Sequence, residues 1–217
     1  MGRKDMSNCC VWMVRAGQGA AYVEDFIDKN VVAIGWCEAG EIKVGDTREM
    51  ISQKLLSVWP TWTAGNRAIS AGQIFRFLNE FKVGDKVITY DPSRRIYHVG
   101  EIASFPRYMP SLFEELPRVR DVKWQGEVQR DVISTSTKNT LGAISTLFLL
   151  SDEAAAEVIA LLSGKFEPKA IEPESEADVD RTGRRCCRLA RSRRELGIRE
   201  QHAACPVLSR LRRQPTT

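Results

Sequence analysis

Between Phe81 and Ile102 the apolar pattern of the chain changes period twice, and this constrains the fold more than any other stretch. Before it, Ile69, Ile74, Phe77, Leu78 and Phe81 recur at helical spacing, which predicts a helix over residues 66–81. Val83-Gly84-Asp85 then breaks the pattern. Residues 86–90 and 96–105 read as two strands of a hairpin, joined by Asp91-Pro92-Ser93-Arg94-Arg95. Further strands are expected over residues 11–16, 31–36 and 119–128, rich in β-branched and aromatic side chains. Helices are expected over 20–29, over 50–58 behind an N-capping Thr47, and over 152–162 behind Ser151 with Gly164 at its end. Residues 139–148 form a mixed apolar segment. Five strands interleaved with helices predict an α+β domain around a curved sheet or partly closed barrel, ending near Ser163.

Charge divides the chain where this pattern stops. From Arg181 onward there are eleven arginines, no lysine and two glutamates, a balance of +9; residues 165–180 carry −4. The remaining 164 residues are therefore close to neutral although the whole chain is +4. Basicity as a sign of nucleic-acid binding attaches to the tail and not to the folded body. The division predicts an N-terminal extension (1–10), a folded domain (11–163), an acidic linker (164–180) and a disordered Arg-rich tail (181–217). Arginine, cysteine and proline without lysine is what a GC-rich gene yields in a shifted frame. The tail thus reads as the frameshifted remnant of a further domain. No run reaches the ~18 apolar residues of a membrane span, and no signal core follows the basic start, so a cytoplasmic protein with no membrane partner is expected. The six cysteines lack ligand spacing, and no metal or cofactor is expected.

Candidate chemistry is sparse. Glu41-Ile42-Lys43 has the spacing of a metal-dependent nuclease tripeptide, but it lacks an upstream acid at a strand end and reads as solvated loop charge. His98 has no nucleophile placed around it and reads as a sheet residue, so no catalytic residue is assigned. Arg15-Ala16-Gly17-Gln18-Gly19 is a strand-to-helix junction whose backbone N–H groups suit a phosphate. The tryptophans point to binding: Trp36 ends a strand beside Gly35, where an indole N–H needs a partner, and Trp12, Tyr90 and Trp124 also lie on strands. Facing rings would form a slot for a flat, polar-edged ligand such as a nucleobase. Gln73 or Asn66, with both donor and acceptor, would read its edge.

The ordered series Trp12-Met13-Val14-Arg15-Ala16-Gly17, Val32-Ala33-Ile34-Gly35-Trp36, Ala71-Gly72-Gln73-Ile74-Phe75-Arg76-Phe77, Thr89-Tyr90-Asp91-Pro92 and Asn139-Thr140-Leu141-Gly142 resembles the N-terminal domain of Mrr-type restriction proteins. Lys82-Val83-Gly84-Asp85 with Val99-Gly100-Glu101-Ile102 resembles the core of EVE domains, in the PUA-like superfamily with the YTH readers of modified RNA. The resemblance implies a PUA-like, EVE-like fold and a DNA-binding module that accepts a modified base, a cytosine derivative, flipped from the duplex. By position it makes Trp36 the main stacking wall, with Trp12 and Tyr90 as neighbours and Gln73 or Asn66 at the base edge. Arg15, Arg94 and Arg95 become phosphate contacts. In that family a linker leads to a C-terminal endonuclease; after Asp180 no such catalytic pattern follows. Three other readings stay open: a modified-RNA reader, an endonuclease using Glu41 and Lys43 with magnesium, and a domain that binds only its lost nuclease partner.

Overall fold

The strand-forming runs build a mixed sheet. β1 (Val11–Val14) lies parallel to β3 (Lys86–Asp91), and β3 returns antiparallel as β4 (Ile96–Ile102) across the expected turn. β4 pairs with β6 (Arg118–Gln129), β6 with β2 (Val31–Ile34), and β1 with β7 (Leu147–Leu149), all antiparallel. The resulting order is β2-β6-β4-β3-β1-β7, with the two-residue β5 (Arg107–Tyr108) on β6. The sheet curves into a half-barrel with helices on both sides, the α+β architecture expected. This computed structural model describes residues 10–164, all within one unit, Met1–Ile171. The linker beyond Gly164, the Arg-rich tail and residues 1–9 lie outside the described residues.

Five helices flank the sheet: α1 (Val23–Asp28), α2 (Arg48–Val58), α3 (Ala64–Phe75), α4 (Thr135–Leu141) and α5 (Asp152–Leu162). Thr47, Thr63, Ser134 and Ser151 each accept the backbone N–H three residues on, which fixes four of the helix starts. The helix expected from residue 20 starts later, because Gly17, Gly19 and Ala20 have positive φ and leave only a short 3₁₀ turn, Gln18–Ala20. α3 begins two residues before the expected start, at its Thr63 cap, and ends in a π-helical turn, Arg76–Glu80. The mixed segment 139–148 resolves into the end of α4 and the short β7.

Alternation along the strands gives the sheet two apolar faces. Trp12, Val14, Val87, Ile102 and Val122 face α1, α2 and α3, where Phe26, Leu55, Ile74 and Phe77 complete the larger core. Val11, Met13, Ile88, Tyr97 and Val99 face α5, where Ala154 and Val158 cover them. Asp85 ties the sheet's first edge together. Its Oδ2 accepts the indole N–H of Trp12 (3.0 Å) and the backbone N–H of Lys82 (2.9 Å), and Gly84 supplies the positive φ of that turn.

Candidate functional site

Beyond β2, Gly35 packs against the Glu115 carbonyl and the chain then turns through Trp36. Trp36 adopts the left-handed conformation, φ 63° and ψ 44°. That region costs an L-residue about 1–2 kcal/mol, and strain of this kind gathers where a side chain must be presented in one direction. The turn is held from β6 by Arg118, which is 1% exposed. Its Nη1 donates to the carbonyls of Gly35 (2.7 Å) and Trp36 (3.1 Å), and its Nη2 to that of Gly40 (2.5 Å). Burial lowers the Arg118 pKa below the ordinary arginine value, with only weak compensation from Tyr108 and Cys37. Its Nε has no hydrogen-bond partner, and Tyr108 lies beneath the guanidinium at 5.8 Å.

Arg118 also lines a cavity of about 260 Å³ whose wall includes Glu41, Lys43, Leu78, Arg107 and Tyr108. Trp36 itself is half-buried against the larger core. Unlike Trp12 and Trp124, whose indole N–H groups reach Asp85 and the Phe26 carbonyl, its N–H meets no acceptor among the described residues. Trp36 is not part of the cavity wall; Arg118 links the two, lining the cavity and holding the Trp36 carbonyl.

The structure separates the other expected pocket residues from Trp36. Trp12 is a correction: it is 3% exposed, stacked on Phe81 at 4.4 Å and bonded to Asp85, so it belongs to the core. Tyr90 packs on Tyr97 at 4.7 Å against the α5-side cluster, across the sheet from Trp36. The two rings cannot face each other in one slot. Gln73 is a second correction, since it is buried and its Oε1 accepts the backbone N–H of Leu147 (3.0 Å), which fastens β7 to α3. Asn66 is exposed in the first turn of α3.

Arg15 turns inward, with its guanidinium donating to the carbonyls of Ser145, Leu141 and Ala143. It fastens the segment after α4 and is committed there, away from a phosphate. Arg94 and Arg95 remain at the surface, where Arg94 makes a two-pronged pair with Glu127 and Arg95 pairs with Asp131.

Glu41 and Lys43 lie on the loop between the Cys37–Ala39 turn and α2, on the cavity wall with Arg107, Tyr108 and Arg118. Among the described residues no three His, Cys, Asp or Glu side chains are placed to hold a metal. Burial, aided by Glu38, pushes the Cys37 thiol up to about 11, so it stays protonated at neutral pH. His98 pairs across the sheet with Thr89 and lies between Asp91 and Glu127.

Two residues central to this architecture escaped sequence reading. Arg118 and Arg120 are the largest fully buried side chains. Arg120 donates to the carbonyls of Phe77, Leu78 and Phe81, which the π-helical turn leaves without helical partners. Burial lowers its pKa to about 10. The signal was present: on a strand, Arg118 and Arg120 share a face with Val122 and Trp124.

Protein Atu2648 of Agrobacterium tumefaciens has a TM-score of 0.36 and 13% identity to this chain, over 76% of this chain and 100% of that one. A hypothetical protein from Leishmania major gives 0.35 and 12%, over 73% and 97%. No curated protein matches the chain. The domain of unknown function DUF8426 matches residues 12–151, and the chain therefore belongs to the DUF8426 family.

Proposed function

We propose that this domain is an EVE-like, PUA-like recognition module of a modification-dependent restriction system, and that it binds a modified cytosine turned out of DNA. One observation carries the reading: a left-handed, half-buried Trp36 whose carbonyl is held by the buried Arg118, which also lines a polar cavity. The ordered motifs shared with Mrr-type proteins support it. A flipped base has lost stacking and pairing worth a few kcal/mol, which the pocket must return. Trp36 supplies the stacking face, and its free indole N–H can reach a polar substituent. Lys43 and Arg107 on the cavity wall provide positive charge, although Arg107 also pairs with Asp121. Glu41, the acid on that wall, is an acceptor for an exocyclic amine.

The test is a titration of the full chain, at fixed salt, against duplexes that differ only in the modification of one cytosine, with modified RNA as competitor. Tighter binding of one modified duplex is expected, with the preference lost in Trp36→Ala. Stacking of this kind is worth about 1–3 kcal/mol. Equal affinity for all duplexes would remove the reading, and preferential capture by the RNA competitor would transfer the site to an RNA ligand.

A further inference from the structure

Past the first turn of α2, the lobe formed by α2, α3 and their connection carries cations and no acids. From Met50 to Asn79 there is no aspartate or glutamate, while Lys54, Arg67 and Arg76 are present. Several surface cations are met by carboxylates, Lys29 by Asp25, Arg94 by Glu127, Arg95 by Asp131, Arg107 by Asp121 and, within the lobe, Arg48 and Arg76 by Glu80. Lys54 and Arg67 bond only to main-chain carbonyls, of Glu41 and Trp62, and no carboxylate of the described residues pairs with either. Their charge therefore reaches solvent uncompensated.

The connection, Trp59-Pro60-Thr61-Trp62-Thr63, carries two tryptophans whose rings lie parallel, 4.6 Å apart and 9° from coplanar. Trp59 rests on the core, but Trp62 joins neither apolar cluster and stacks on Trp59 from outside. Both are partly exposed, and neither indole N–H has an acceptor among the described residues. Thr61, Thr63 and Asn66 are exposed beside them. A stacked indole pair beside hydroxyls, an amide and the Arg67 guanidinium, with Lys54 further back along α2, matches a strand that alternates flat bases with phosphates. An apolar protein partner would meet those cations unpaired.

We infer that the α2–α3 connection is a second nucleic-acid contact: a base stacks on the Trp59–Trp62 pair while Lys54 and Arg67 face the adjoining phosphates. The inference rests on the nucleic-acid part of the proposed function and is independent of base discrimination at Trp36. Backbone-plus-stacking contacts of this type are sequence-tolerant and salt-sensitive. The surface would thus supply general affinity while Trp36 supplies selectivity.

The two roles separate in one experiment. Anisotropy of a labelled, unmodified single-stranded oligonucleotide is followed for the full chain, Trp62→Ala, Trp62→Phe and Lys54→Gln, each checked for folding by circular dichroism. Trp62→Ala should bind about tenfold more weakly, to modified and unmodified DNA alike, and Trp62→Phe should recover most of the loss. Lys54→Gln should lower the slope of log affinity against log salt by about one. A folded Trp62→Ala protein with wild-type affinity, together with an unchanged salt slope in Lys54→Gln, would overturn the inference. So would a change in oligomeric state on Trp62→Ala without a change in DNA affinity, which would make the patch a self-association surface. If the wild type binds DNA without discriminating modifications, the Trp36 reading falls and the loss in Trp62→Ala still stands.

Discussion

A glycine at position 36 would satisfy the left-handed backbone at no steric cost, yet the chain places a tryptophan there. Only loss of the whole side chain, Cβ included, should relieve the turn. Trp36→Gly is expected to be about 1 kcal/mol more stable than Trp36→Ala in urea denaturation, because alanine keeps the left-handed strain and glycine does not. Both variants should remain folded, since Trp36 is only half-buried. His98 carries the opposite kind of constraint. Burial lowers its pKa below the ordinary histidine value and outweighs the pull of Glu127 and Asp91 in the other direction. The folded state thus favours the neutral ring. As pH falls through about 6.5, the unfolded chain takes up a proton that the folded chain resists, and stability declines until the folded pKa is reached. The urea midpoint should drop between pH 7.5 and 5.5, and His98→Gln should flatten that drop. Loss from Asp91, Glu101 and Asp131, whose pKa values are held low, belongs to a more acidic range.

The elements of the sheet meet most tightly where β4 crosses β6. The pairing register slips between Val99 and Gly100, and a Cβ on Gly100 would lie 2.4 Å from Val122 Cγ1 and 2.9 Å from Trp124 Cε3. Val122 is buried and the backbone carbonyl of Lys123 lies 3.0 Å away, so Gly100→Ala should cost about 2–3 kcal/mol by chemical denaturation. The helices α4 and α5 are joined by Glu157. Its carboxylate accepts the backbone N–H and hydroxyl of Ser134 (both 2.7 Å) and the Thr137 hydroxyl (2.6 Å). Burial alone would raise the Glu157 pKa, but these donors bring it below the usual value. Glu157→Ala should lose about 1–3 kcal/mol, since the start of α4 is left without its acceptors. Helix ends set by Thr47 and Ser151 were legible because a cap is a local, sequence-neighbour interaction. The short β5 and β7 were not, since two or three residues show no alternation and take their pairing from β6 and β1.

At the scale of the whole molecule, the described domain has a core on each side of a half-barrel, a left-handed Trp36 held by Arg118, and a stacked indole pair between α2 and α3. Incubation with modified plasmid and magnesium is expected to leave the plasmid intact, as read by gel electrophoresis. Nicking lost on Glu41→Gln would restore the endonuclease reading. The architecture was readable because hydrophobic periodicity reports which face of each element is buried, whatever that face meets. The hairpin after Gly84 and the αβ alternation follow from that local code. The assembled slot was not readable. Strand alternation alone does not say on which side of a curved sheet two distant rings will emerge, so Tyr90 and Trp36 were grouped although the sheet lies between them. The sequence by itself determined the longer strands, most of the helices, the Thr47 and Ser151 caps and the aromatic character of the chain. Only tertiary structure decided that Trp12 and Gln73 are committed inside, that Arg118 and Arg120 are buried clamps, and which tryptophans stay open. The physical reason is that hydrogen-bond partners lying tens of residues apart settle whether a polar or aromatic side chain is spent within the fold or left for a ligand.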